Sequence, residues 1–268
     1  GPRADMVGAS SIGLEAARAL RQRGVEVTIV APEQEPFEGL FGAEVGGWFR
    51  QLHERHGVGF ELGVAATGFE RGEVRLADGR SVPADFVLLG IGVRPRIGLA
   101  EAAGLDLVGG GVRVDRYLET SEPRIFAAGD IAAYPDPLTG EPVRIEHWVI
   151  AERQGQAAAA NMLIDERPFQ AVPFFWTEQF GVALRYVGHA HRWDRVEIEG
   201  DVAQGVFIAR YYDRDLHRAS AGVGQDLAIL EDERRFEAMI ADASAGEGER
   251  QGTAGKCGQM VAEVCSAS

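Results

Sequence analysis

The chain has 268 residues, enough for a sizeable core and one or two domains. Hydrophobic residues make up 46% and charged residues 25%, an ordinary balance for a globular protein, and the longest apolar stretch, residues 86–93, is too short to span a bilayer. The net charge of −14 would repel a phosphate backbone, which excludes non-specific nucleic-acid binding.

Residues 4–8 read as a short buried strand entering a glycine turn, and residues 14–23 as a helix with Leu14, Ala17 and Leu20 on its apolar face. Gly24 ends that helix and residues 25–30 alternate as a second strand, which gives a β-turn-α-β unit. Asp5 is awkward in a buried parallel strand, so fraying of the first strand is expected. A second helix over residues 43–55 is followed by short strands at 60–62, 67–71, 73–76 and 86–90, with a hairpin turn at 77–80. Two extended pieces lie within residues 112–128, and a long amphipathic helix covers 145–163. Beyond it, strands at 174–176, 182–187, 195–199 and 205–212 read as an antiparallel meander, closed by a helix at 225–241, in a separate small α+β unit. From residue 242 the composition of Gly, Ala, Ser and Glu predicts an unstructured tail.

The string Gly8-x-Ser10-x-x-Gly13 stands between a strand and a helix, the context a dinucleotide fingerprint requires. Gly8 permits the tight turn, Ser10 is small enough for a pyrophosphate to approach, and Gly13 lets the helix pack on the sheet. With Ser11 and Ile12 between them, these residues place free N–H groups and a positive dipole end at the phosphates. About twenty residues on, Glu33 is placed to hydrogen-bond the adenosine ribose, which favours NADH over NADPH; a solvated loop charge is its competing role.

Residues 124–132 end an apolar strand in Ala127-Ala128-Gly129-Asp130, read as a turn just before a helix. There Gly129 allows close backbone approach to a ligand and Asp130 can accept from a ribityl hydroxyl. Gly109 to Gly111 lead into an alternating segment and read as a hairpin rather than a phosphate loop. His189 and His191 have no third ligand nearby, so no metal site is expected. Six arginines between Arg185 and Arg218 interleave with carboxylates and read as a mixed surface.

Together VGASSIGLE, LLGIGVRP, RIFAAGDIA and RIEHWVIAERQGQAAAANML resemble the FAD-dependent pyridine nucleotide-disulfide oxidoreductases, within them the ferredoxin reductase and apoptosis-inducing-factor-like branch. VPFFWTEQFG and YVGHA extend the resemblance to residue 240 or so. It implies an α/β protein: a Rossmann-like NADH-binding domain at 1–112, the closing segment of an FAD-binding domain at 113–168 and an α+β interface domain at 169–241, with the tail at 242–268. It further implies that Glu15 lies near the nicotinamide end, Gly92 near the dinucleotide, and Asp130 by the ribityl and pyrophosphate region of FAD. Glu146, His147, Trp148 and Ala151 would lie near the isoalloxazine on the following helix, with Trp176 closing over the ring. Packing is the competing role for His147 and both tryptophans.

In this family the FAD adenosine is held by an earlier glycine turn, which this chain lacks; the expectation is a piece from behind that turn, holding FAD weakly and exposing an apolar flank. The implied activity is hydride transfer from NADH to FAD and electron delivery to a ferredoxin or Rieske-type iron–sulfur protein. The cofactors carry that chemistry, so no catalytic acid or base is expected. The absence of a CxxC near the nicotinamide domain argues against a dithiol relay. A catalytically inactive nucleotide-binding or scaffold fragment is the alternative. The absence of a signal-peptide layout and of a cysteine framework, with only Cys257 and Cys265, points to the cytoplasm.

Overall fold

The computed structural model describes residues 1–163 and 167–265, with side chains to residue 245 outside that gap. It divides into two compact units, one made of residues 1–94 and 174–230, the other of residues 95–173 and the chain from 231. The fold is mixed α/β.

The first unit opens with β1 (Arg3–Val7), α1 (Ser11–Arg21), β2 (Glu26–Ala31), α2 (Glu38–Arg55) and β3 (Val58–Leu62). After β4 (Ala66–Glu70), β5 (Glu73–Leu76) and β6 (Ser81–Pro83), it returns through β7 (Phe86–Leu89). Strands β3-β2-β1-β7 form a parallel sheet in that order, and β4-β5-β6 an antiparallel one. Both faces of the parallel sheet are covered, which is why its strands read as nearly continuous apolar runs. Ala4, Met6, Val27 and Ile29 join the core with α1 and α2, while Val30 and Val87 pack with Val74 and Leu76 of the antiparallel sheet. Gly24, at φ +78°, ends α1 in the left-handed conformation that glycine adopts without penalty. The helix expected at 43–55 is the part of α2 beyond a kink at Gly42 (φ 81°, ψ 173°).

The remainder of this unit is one antiparallel sheet of β12 (Phe174–Gln179), β13 (Val182–Gly188), β14 (Arg195–Asp201), β15 (Val206–Asp213) and β16 (Leu216–Val223), ordered β12-β13-β16-β15-β14. The sequence reading lacked β16, the central strand. Its Ala219, Ser220, Ala221 and Gly222 show no apolar–polar alternation because both faces are buried, and a Cβ on Gly222 would lie 2.9 Å from Ile229 Cγ1. The sheet is also not a separate core. Phe41 stacks 5.7 Å from Tyr186, Trp48 lies edge-on 5.6 Å from Phe207, and the Tyr211 hydroxyl donates to Phe41 O at 3.0 Å. Large aromatic side chains on α2 thus merge the two sheets into one apolar cluster.

The second unit contains α3 (Gly98–Ala102), β8 (Leu107–Val108), β9 (Gly111–Arg113), β10 (Ala132–Pro135), β11 (Pro142–Val143) and α4 (Trp148–Met162). Its four strands are ordered β11-β10-β9-β8, and Val114, Leu118, Tyr134, Ile150 and Phe169 form its core. Gly109 and Gly110 turn the β8–β9 hairpin. The turn at Gly129 and Asp130 leads into strand β10, not into the expected helix. Ala132 and Ala133 pair with β9 and Tyr134 with β11, all three buried, so tertiary pairing decides their conformation. The last helix, α5, runs Asp226–Cys265, so helical backbone replaces the unstructured tail expected from residue 242; the Ala, Glu and Met content carries helix propensity that a count of large apolar residues overlooks. No helix among the described residues is long and apolar enough to cross a membrane.

Candidate functional site

In the first unit β1 lies between β2 and β7, so the chain leaves it toward one side of the sheet and returns on the other. A ligand crevice opens beyond the strand ends at such a reversal. The Gly8 N–H donates to Val30 O at 2.9 Å and the Gly90 N–H to Val7 O at 2.7 Å, which draws the two loops together at that point. Gly8 has φ +109°, and a Cβ there would stand 2.3 Å from Gly90 O; one on Gly13 would stand 2.2 Å from Gly8 O. Both positions therefore require glycine on steric grounds, independently of any ligand.

Ser10 takes the N-cap position of α1 with extended backbone, yet its side chain does not cap the helix. Its hydroxyl donates instead to Gly90 O at 3.2 Å. The first N–H groups of α1, those of Ser11, Ile12 and Gly13, are left without the side-chain acceptor a serine normally offers there, and the first turn holds no acidic residue. That arrangement suits an anion. Ile12, Leu89, Ile91 and Val93 are all more than 60% exposed, which leaves an apolar rim on the same loops, and Gly92 stands in open space at φ +88°. A phosphate-bearing ligand with flat rings fits this combination.

Glu33 is exposed just past the end of β2 with no side-chain bond among the described residues, whereas Glu35 is held by Arg50 through bonds of 2.8 and 2.9 Å. Glu15, exposed on α1, accepts from Thr177 Oγ1 at 2.7 Å. β1 itself is not frayed: it pairs along its length with β2 and β7, and Asp5 is 1% exposed. Burial pushes the Asp5 carboxyl up to about 7; Arg3 opposes the shift and Glu61 adds to it. A protonated carboxyl is tolerated where a carboxylate would break the strand.

In the second unit, Gly129, Asp130, Glu146, His147, Trp148 and Ala151 gather where α4 begins. Gly129 (φ +83°) donates its N–H to Gln154 Oε1 at 2.7 Å, and a Cβ added to it would lie 3.5 Å from Ala151 Cβ. Asp130 is exposed, and its backbone oxygen accepts from Arg144 Nη1 at 2.9 Å, while the same guanidinium binds Glu146 at 2.6 Å. α4 starts later than the residue 145 expected, because His147 is extended and serves as its N-cap, accepting the Val149 N–H at Nδ1. Glu146 and His147 thus precede the helix rather than belong to it. Burial holds the His147 pKa below the usual imidazole value, against the pull of the Asp130 carboxylate. A neutral ring is what an accepting Nδ1 requires. Trp148, 60% exposed, projects from the first turn.

Gln154, 1% exposed, was not anticipated from the sequence, although it lies one turn beyond Ala151. Replacing it by leucine is expected to leave the Gly129 N–H unpaired and to destabilise the second unit by about 1–3 kcal/mol, read by urea unfolding. Unchanged stability would show the bond to be replaced by water. Arg144 and Thr177 were likewise missed, since an isolated arginine or threonine carries no spacing signal. Trp176 lies on β12 in the first unit, 46% exposed, its ring 6.0 Å from that of Phe174.

Among the described residues there is no cluster of three metal-ligating side chains. Arg185, Arg192, Arg195 and Arg210 pair with Asp226, Asp213, Glu197 and Glu199, which makes that surface mixed rather than basic.

Residues 3–155 match the sequence profile of the family described as pyridine nucleotide-disulphide oxidoreductase, and residues 174–244 that described as reductase C-terminal. The chain is 38% identical over 213 residues to the anthranilate 1,2-dioxygenase system ferredoxin–NAD(+) reductase component of Burkholderia cepacia, covering 77% of this chain and 52% of that protein. It is 34% identical to apoptosis-inducing factor 3 of Mus musculus, over 84% of this chain and 38% of the relative. The crystal structure of the covalent putidaredoxin reductase–putidaredoxin complex superposes with a TM-score of 0.84 at 30% identity, covering 89% of this chain and 58% of that one. The chain thus spans about half the length, or less, of the curated relatives it matches.

Proposed function

As the chain belongs to the pyridine nucleotide-disulphide oxidoreductase family, we propose that it is the nicotinamide-binding and acceptor-side part of an NADH-dependent flavoprotein reductase that passes electrons to a ferredoxin or Rieske-type iron–sulfur protein. The observation that carries this reading is the Gly8–Gly13 turn, where the helix end that Ser10 leaves uncapped offers N–H donors to a pyrophosphate. Glu33 would take the adenosine ribose hydroxyls, and its charge would repel the 2′-phosphate of NADPH.

The turn over α4 fits the ribityl and pyrophosphate side of FAD. Gly129 is fixed by Gln154 with no Cβ to obstruct approach, and the Asp130 carboxylate is exposed beside it. A bound flavin supplies the capacity to take a hydride and release single electrons. The chain's own residues would bind and orient it: Asp130 would accept from hydroxyls, and His147 fixes the entry of α4, from which the 60% exposed Trp148 projects. The covalent complex of putidaredoxin reductase with putidaredoxin, and the ferredoxin–NAD(+) reductase relative, support a ferredoxin-type acceptor by analogy.

The test is an anaerobic absorbance titration of the purified chain, supplied with FAD, by NADH. Loss of the flavin band on addition of NADH supports the reductase. NADH binding with no bound flavin would favour the second reading, a nucleotide-binding module without turnover.

A further inference from the structure

We infer that the C-terminal sheet takes part in recognising the nicotinamide half of the dinucleotide through Thr177 and Gln179, positioning residues for Glu15. The inference rests on the reading of the Gly8 turn as a nicotinamide-dinucleotide site. Thr177 and Gln179 are 2% and 0% exposed, and both point inward from β12, the strand nearest α1 in that sheet. Gln179 Nε2 donates to Thr177 Oγ1 at 2.9 Å, and Thr177 Oγ1 donates to Glu15 Oε1 at 2.7 Å.

The direction of this chain follows from the inventory of protons. A hydroxyl has one proton, and an amide nitrogen can only donate, so the threonine proton goes to Glu15. A buried, oriented donor thus meets one oxygen of an exposed carboxylate and fixes its rotamer. No ion pair neutralises Glu15 among the described residues; Arg18, one turn on, pairs with Glu178 at 3.8 Å.

A free carboxylate one turn from an anion-binding helix end would oppose an anionic ligand. Held by Thr177 at Oε1, the side chain is set in one place, with its second oxygen available to an N–H donor. On a nicotinamide dinucleotide the donor at the end away from the adenosine is the carboxamide. Trp176 and Glu178 alternate to the other face of β12, so Thr177 reaches Glu15 of α1 from the buried side, with Gln179 bonded behind it.

The experiment titrates the purified chain with two probes, NADH and ADP-ribose, which shares the adenosine and pyrophosphate but has no nicotinamide. Thr177→Val keeps the shape and removes the donor. The expected result is a roughly tenfold weaker affinity for NADH with ADP-ribose affinity unchanged, and recovery of NADH affinity in Thr177→Ser. Equal losses for both probes would mean a damaged fold and overturn the inference, as would no loss for either. Failure of the unsubstituted chain to bind NADH would overturn the functional reading and this inference together, whereas normal NADH binding by both the unsubstituted chain and Thr177→Val overturns this inference alone.

Discussion

Gly13→Ala is expected to remove measurable NADH binding, a loss on the order of a hundredfold in affinity, and to lower stability by about 3 kcal/mol. The added Cβ would stand 2.2 Å from Gly8 O and 3.4 Å from the Met6 side chain. The first obstacle is backbone, which cannot rotate away, so α1 must withdraw from β1. Its N–H groups then leave the place where the pyrophosphate is held, and the Ser10 bond to Gly90 O breaks with them. Gly39→Ala is the control. It lies on exposed α2 surface with nothing within 4 Å of an added Cβ, and is expected to leave binding unchanged. Fluorescence titration with NADH and a thermal melt read both effects, and full binding by Gly13→Ala would show that the turn is architectural only.

Asp5→Val is expected to stabilise the chain by an amount that grows with pH. The folded state holds a proton on Asp5 up to about 7, whereas the unfolded chain releases it near 3.8. Between those values folding takes up a proton, so this group's contribution falls as pH rises, by roughly 4 kcal/mol across the window. His53 acts in the opposite sense. Burial lowers its folded pKa from 6.5 to about 4, outweighing the nearby Gln179 amide, which favours the charged ring, so its contribution is lost as pH falls through that range. The two slopes offset in the unsubstituted chain. The informative quantity is therefore the difference between Asp5→Val and the unsubstituted chain in urea unfolding, small at pH 4 and large above pH 7. A difference independent of pH would mean that Asp5 stays ionised in the fold.

The parallel sheet and its glycine turn were legible because their signals are local. Gly8, Ser10 and Gly13 sit where a strand becomes a helix; the two glycines avoid backbone that a Cβ would strike, and Ser10 bonds Gly90 O. Asp5 misled the reading in an instructive way: its identity was judged as a charge, while burial makes it a neutral acid that a central strand can accommodate. Strand β16 was invisible because Ala219, Ser220, Ala221 and Gly222 are buried on both faces and show no alternation, with Ile229 close against Gly222. The strand after Asp130 was hidden for a related reason, since pairing with β9 rather than local propensity makes it extended. At the site itself, motif residues could be named in advance, but the groups that hold them could not. Gln154, Arg144 and Thr177 act over sequence separations of 25, 14 and 162 residues, and no spacing rule links such pairs.

The most direct test of a nicotinamide-dinucleotide site at the Gly8 turn is a calorimetric titration of the purified chain with NADH and, separately, with NADPH. Saturable one-site binding of NADH, weakened for NADPH by the free Glu33 carboxylate, is the predicted result. No saturable binding of either nucleotide would contradict the account.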